Sequence, residues 1–307
     1  MKETKTGIKL KKKKRVDILE IVVEKVLVLF ATISILTTIA IIFTLFGETI
    51  TFFKEVSIVE FFTGTKWTPT LTPRNFGVLP LLIGTLMIAI GSSIVALPMG
   101  LGSAIYLSEY APKKARKIIK PILEILAGIP SIVYGFFALN FITPILQKLL
   151  PQTQIFNALS ASIAVGIMTL PMVASLCEDA MMAVPDSVRK GAYALGATKF
   201  EVATKVVIPA TFSSIASAFV LAISRAIGET MIVAIAAGQS PVLTLNPLES
   251  IQTLTGFMVN ISLGDIQHGT IEYNTVFAVG SLLFGVTFLM NIIARAVVNR
   301  NRRYLNG

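Results

Sequence analysis

Residues 183–209 read AVPDSVRKGAYALGATKFEVATKVVIP. Four basic and two acidic side chains fall in this stretch, and long runs almost free of charge lie on either side. A polar segment between two apolar runs, each long enough to cross a bilayer, belongs in water on one side of it. Gly191 and Gly196 punctuate the stretch, with Ala192, Ala194 and Ala197 around them. That composition predicts two short helices joined by a glycine turn, with a small-residue face that another protein approaches closely. Pro209 opens the next apolar run, and proline suits the first turn of a helix.

The rest of the chain agrees with a membrane setting. Of 307 residues, 54% are hydrophobic and 14% charged; soluble domains are about 25% charged. Mean hydropathy is +0.77. The net charge of +10 does not indicate nucleic acid, because the basic residues cluster at the ends of apolar runs, where topology and anionic lipid account for them. Cys177 is the one cysteine and rules out an internal disulfide.

Six spans are expected. Residues 1–17 form a basic cytoplasmic tail, and 18–307 form one transmembrane domain. The run Ile21–Phe46 is too long for a signal-peptide core and reads as a retained first span. A polar connection, 47–76, carries Trp67, which marks the interface or shapes the outer surface. Span two, within 76–108, is uncharged; as one helix it would be about 50 Å long against a hydrocarbon core of about 30 Å. It is expected to bend, tilt or break, with an elbow leading into it. Residues 109–120 read as an inner loop and Pro121–Leu146 as span three. Inside span three, Gly128, Pro130 and Ser131 form a helix break, either a packing kink or part of a pathway. Span four is Ile155–Cys177, span five runs from about Val206 to Gly238, and span six is Thr275–Val298. Residues 239–274 read as an outer loop. With both termini inside, 21 Lys and Arg fall on the cytoplasmic side and four outside. That asymmetry sets the orientation.

Span five carries the chemistry. Ser214, Ala218, Ala222, Ala226, Thr230 and Ala234 recur every four residues, a ridge that lets another helix approach. Arg225 and Glu229, also four apart, would share one helical face. Arginine in a span rarely faces lipid, and its donor fork suits an oxyanion. Glu229 would hold Arg225 between substrates and keep anion binding weak enough for release. The alternative is an ion pair that only fixes packing. Residues 191–198 have the glycine spacing of a phosphate-binding loop but lack its lysine. His268 reads as a surface residue, and neither a catalytic triad nor a metal cluster is apparent.

The 183–209 stretch resembles the cytoplasmic coupling loop of permeases in binding-protein-dependent ABC importers. The family pattern is Glu-Ala-Ala, three residues, Gly, nine residues, then an aliphatic-x-aliphatic-Pro ending. Here Gly191-Ala192 precede Gly196, nine residues separate Gly196 from Val206-Val207-Ile208-Pro209, and this Gly-to-Pro spacing fits without a gap. Lys190 stands where the family usually has Glu. FGVLPLLIGTL (76–86), LEILAGIPSIVYG (123–135) and ISRAIGETMIVAIAAG (223–238) are similar to the C-type permease of the high-affinity phosphate ABC importer. Gln239 replaces an Asn frequent there. The resemblance spans about residues 60–300. It implies an all-α integral membrane protein with six transmembrane helices, the type I ABC importer permease fold and both termini cytoplasmic. It implies that Arg225 and Glu229 lie on the phosphate pathway. It further implies that Arg189, Lys190, Gly191, Ala192, Gly196 and Pro209 belong to an ATPase-docking loop, about 178–209. The implied partners are a homologous second permease of the A type, an ATPase dimer, an external phosphate-binding protein, inorganic phosphate and membrane lipid. No cofactor is expected on this chain, since ATP and magnesium belong to the ATPase subunits. Besides a structural assembly factor, which would not need the intramembrane Arg225 and Glu229, two alternatives stand beside this reading. One is a permease for another oxyanion such as sulfate or molybdate. The other is a self-sufficient secondary transporter or channel, which would show internal symmetry and lack a docking loop.

Overall fold

The computed structural model describes residues 14–264 and 266–305. Most of the basic tail, residues 1–13, lies outside that range, as do the side chains of Arg300, Arg302 and Arg303. Among the described residues the regular structure is helical, with one isolated bridge between Trp67 and Phe76. Six segments are long and apolar enough to cross a membrane: Glu20–Glu55, Leu79–Tyr110, Ser131–Leu149, Ala158–Met182, Lys199–Ile227 and Ile271–Ile293.

Helix α1 (Lys14–Glu55) continues past the expected end of span one, through residues expected to be connection. After α2 (Ile58–Thr63), the chain reaches α3 (Leu79–Ile105) through Val78, with no separate elbow. Nor does span two break. Pro80 occupies the first turn of α3, Pro98 is accommodated inside it, and a π turn, Tyr106–Tyr110, extends it. At 32 residues this rod is about 48 Å long, so its ends lie beyond a hydrocarbon core of about 30 Å.

Span three differs more. Its basic preface and its first apolar turns form one helix, α4 (Lys113–Ala127), with no buried residue. The chain breaks at Gly128–Pro130 and resumes as α5 (Ser131–Phe137), a π turn (Ala138–Ile142) and α6 (Thr143–Leu149). Proline lacks an N–H, and its ring crowds the carbonyl four residues earlier, so a break here follows from local chemistry. Helix α7 (Ala158–Met182) is capped by the Asn157 carboxamide oxygen, which accepts from the Ser160 N–H at 2.7 Å.

Three of the four π turns among the described residues share a feature. Those at 106–110, 138–142 and 202–207 each end two residues before a proline: Pro112, Pro144 and Pro209. At Pro144 and Pro209, where the helix continues, the widened turn absorbs the ladder defect that proline imposes; at Pro112 the helix has already ended.

The core is built on α3 and α7, which lie side by side. A Cβ on Gly100 would approach Val173 Cβ to 2.7 Å, and one on Gly166 would approach Val95 Cβ to the same distance. Glycine at these positions therefore permits the close packing of the two helices. Helix α10 (Ile208–Ile227) packs against both, and against α12 (Ile271–Leu305), burying Ala218, Ala222 and Ala226 of the predicted small-residue ridge. The ridge stops there, since Thr230 and Ala234 lie beyond the end of α10.

The expected outer loop, 239–274, contains a half-buried helix, α11 (Leu254–Leu263). It is tied to α3 by the Leu254 N–H, which donates to Thr85 Oγ1 at 3.0 Å. Residues 247–249 accept from the N–H groups of Gln154, Leu159 and Ala158, tying the strap before α11 to the start of α7. Trp67 is buried in an aromatic cluster with Phe52, Phe61, Phe76 and Phe257, so its ring packs inside the chain rather than against lipid headgroups.

Candidate functional site

The coupling stretch forms the two short helices expected of it. Helix α8 (Asp186–Ala194) and the single turn α9 (Lys199–Glu201) flank Gly196, whose φ of +84° lies in the left-handed region that glycine adopts without strain. A Cβ there would meet nothing within 4 Å, so the turn, not crowding inside this chain, accounts for the glycine. Thr198 and Glu201 close α9 with a reciprocal capping box. A π turn, Val202–Val207, joins α9 to α10, where Pro209 sits in the first turn.

Lys190, Gly191, Gly196 and Pro209 are exposed, and Ala192 is half-buried. Beside them lie apolar side chains that sequence reasoning did not single out. Leu195 is 89% exposed and Phe200 67%, with Val188 and Tyr193 nearby on the same loop. Apolar groups displayed on a polar loop mark a contact surface. The signal was present as large apolar residues among the small and charged ones. Arg189 behaves differently from its neighbours, because it turns inward. Its Nη2 donates to Glu109 Oε1 at 3.0 Å and to the Met181 carbonyl at 2.7 Å, and its Nη1 donates to the Val184 carbonyl at 2.5 Å.

A second ionic cluster, also missed, joins α4 to α7. Glu178, fully buried, pairs with Arg116 and with Lys120 Nζ at 2.8 Å, while Asp179 takes Lys120 at 2.5 Å. Burial pulls the Lys120 ammonium down, but its hydrogen bonds to Asp179 and Glu178 outweigh that and hold it above its ordinary value.

Span five is where the expected geometry changes. Helix α10 ends at Ile227, and residues 228–230 are not helical. Arg225 and Glu229 therefore do not share a helical face as expected. The Glu229 carboxylate turns the other way. Its Oε1 accepts from the N–H groups of Met231 and Ile232 at 3.1 and 3.2 Å, satisfying donors that the restarting helix leaves free. The chain then makes a π turn (Val233–Ala237). Arg225 stands exposed near the end of α10, and no carboxylate among the described residues lies within ion-pair distance of it.

The two helix breaks belong to one region. The Tyr134 hydroxyl donates to the Leu126 carbonyl at 2.9 Å, across the Gly128–Pro130 break. Gly135 packs against Ile232 and Ile235, beyond the other break. An interrupted span leaves backbone groups that need polar company. The Arg225 guanidinium, exposed beside the second break, carries a donor fork suited to an oxyanion.

A family model described as the binding-protein-dependent transport system inner membrane component matches residues 96–303. The chain belongs to this family. It is 35% identical over 247 residues to a probable ABC transporter permease protein, YqgH, of Bacillus subtilis, with 80% of each chain covered. It is 32% identical over 265 residues to the phosphate transport system permease protein PstC of Xylella fastidiosa, again with 80% of each covered. PstC 1 of Mycobacterium tuberculosis is 30% identical over 284 residues, 80% of this chain and 83% of that protein. Among solved structures, a bacterial ABC transporter involved in alginate import matches with a TM-score of 0.63 and 15% identity, over 92% of this chain and 98% of that one. The MetNI methionine ABC transporter in an inward-facing conformation matches with a TM-score of 0.55 and 18% identity, over 71% and 93%. The fold is thus that of an ABC importer permease, in a multi-pass protein of the cell membrane.

Proposed function

We propose that this permease forms half of the translocation pathway of an ATP-driven phosphate importer. The observation that carries the proposal is the exposed Arg225, without a carboxylate partner among the described residues, where two interrupted spans meet. A cation in an apolar span needs a reason, and a passing oxyanion supplies one. Relatives that bear the name of phosphate transport permeases favour phosphate among the oxyanions. The other half of the pathway comes from a homologous permease. The loop around Gly196, with Leu195 and Phe200 exposed, docks an ATPase subunit, and a phosphate-binding protein delivers the ion at the opposite face. ATP and magnesium are held by the ATPase dimer, and this chain performs no hydrolysis itself. Both termini, α4 and the coupling loop lie on the cytoplasmic side.

The test is ATP hydrolysis by the complete complex in lipid vesicles. A phosphate-loaded binding protein should stimulate it, with accompanying phosphate uptake, and sulfate or molybdate should not substitute. Stimulation by sulfate or molybdate alone would move the assignment to another oxyanion.

A further inference from the structure

We infer that the Glu109–Arg189 pair is a positioning joint, linking the ATPase-docking loop to the rod that reaches the substrate region. The inference rests on the docking reading above and adds the residues through which docking acts on the rest of the chain.

Arg189 lies on α8, the first helix of the docking loop, yet its side chain is only 12% exposed and that of Glu109 only 4%. The guanidinium holds three elements at once. Nε and Nη2 both reach Glu109 Oε1, at 3.2 and 3.0 Å, at the end of the α3 rod. Nη1 and Nη2 also reach the Val184 and Met181 carbonyls, where α7 ends and its unpaired acceptors favour a cation. Only a planar fork of donors fits such a set. At its other end, the α3 rod takes the Leu254 N–H on Thr85 Oγ1, at the start of α11. The next residue, Thr255, donates from Oγ1 to the Glu229 carbonyl at 2.6 Å, inside the break that follows Arg225. A contiguous series of polar contacts and one rigid helix thus joins the docking loop to that break. Coupling between distant sites is carried by such physical chains, and the claim needs a coupling measurement.

The experiment uses the complex purified with its partner subunits and rebuilt in vesicles. Phosphate moved per ATP hydrolysed is measured beside the amount of ATPase retained. Glu109→Gln should retain ATPase while phosphate moved per ATP falls about fivefold or more, the range of ordinary site-to-site coupling. Arg189→Lys, which keeps the charge but not the fork, should lower the ratio in the same direction. A pair that only stabilises the fold would change yield or melting and leave the ratio alone. An unchanged ratio in assembled Glu109→Gln would overturn the proposal. The double variant Glu109→Gln with Arg189→Gln strands no charge and covers the case in which the single one fails to assemble. If it assembles, a lowered ratio supports the joint and a normal ratio overturns it. If neither assembles, the pair is a folding element and the proposal falls. The wild-type complex tests the docking reading separately: a chain that retains no ATPase removes that reading, and the joint with it.

Discussion

At the scale of single residues, the placement of Arg225 simplifies its own test. Removing one member of a buried pair commonly costs about 3–5 kcal/mol because a charge is left stranded. Arg225 is exposed, and Glu229 is engaged with backbone N–H groups instead. Arg225→Gln should therefore assemble normally. A hydrogen bond to a charged group is worth ~1.5–3 kcal/mol, so phosphate uptake per assembled complex should fall about tenfold or more. Adding Glu229→Gln keeps a side-chain oxygen for the cap and should not restore uptake. Near-normal uptake in the double variant would remove Arg225 from the pathway. Gly196 offers a second test, because its φ of +84° is left-handed and the space around it is open. Gly196→Val should strain the turn by ~1–2 kcal/mol and loosen the ATPase, whereas Gly196→Asn, which tolerates that conformation, should retain it. Co-purified ATPase measures both.

At the scale of elements, α4 is held to α7 by Arg116, Lys120, Glu178 and Asp179. The raised Lys120 ammonium gives this attachment a direction in pH. A raised folded value means that the contribution is complete below the ordinary value of 10.5 and is lost as pH rises through the folded one. Proteolysis within α4 should accelerate above about pH 10.5, and Lys120→Arg, which stays charged, should delay that acceleration. Equal rates in the two proteins would argue against the attachment. This element was also the hardest to see in the sequence. Its Lys113–Lys120 half resembles an inner loop and its apolar half resembles the start of a span, because residue type reports polarity and not where a helix begins. The break at Gly128–Pro130 was legible, since glycine and proline act locally. Helix α11 was not, because ten residues are too few to announce a span and their burial depends on α3 and α12. The reach from Arg225 to Glu229 failed for a related reason: four-residue spacing means a shared face only while the helix continues.

For the whole molecule, topology is the first question that solution work can answer. In a background lacking Cys177, cysteines at Lys114 and Lys199 should resist an impermeant thiol reagent in intact cells. Cysteines at Asn246 and His268 should react once any outer barrier is opened. Strong labelling at Lys199 would invert the scheme. The end of the bundle around α11 also carries its own reporter. Trp67 is the chain's single tryptophan, 1% exposed, with its indole edge-on to Phe257 of α11 at 5.0 Å between ring centroids. The tryptophan fluorescence of this chain alone, excited at wavelengths that tyrosine does not absorb, therefore comes from one site, in an apolar cage. Its emission should be blue-shifted and shielded from acrylamide at rest. With the other subunits cleared of tryptophan, any step that draws α11 away from that cage should appear as a red shift and faster quenching. Movement at this end of the bundle could then be followed in real time without attaching a dye.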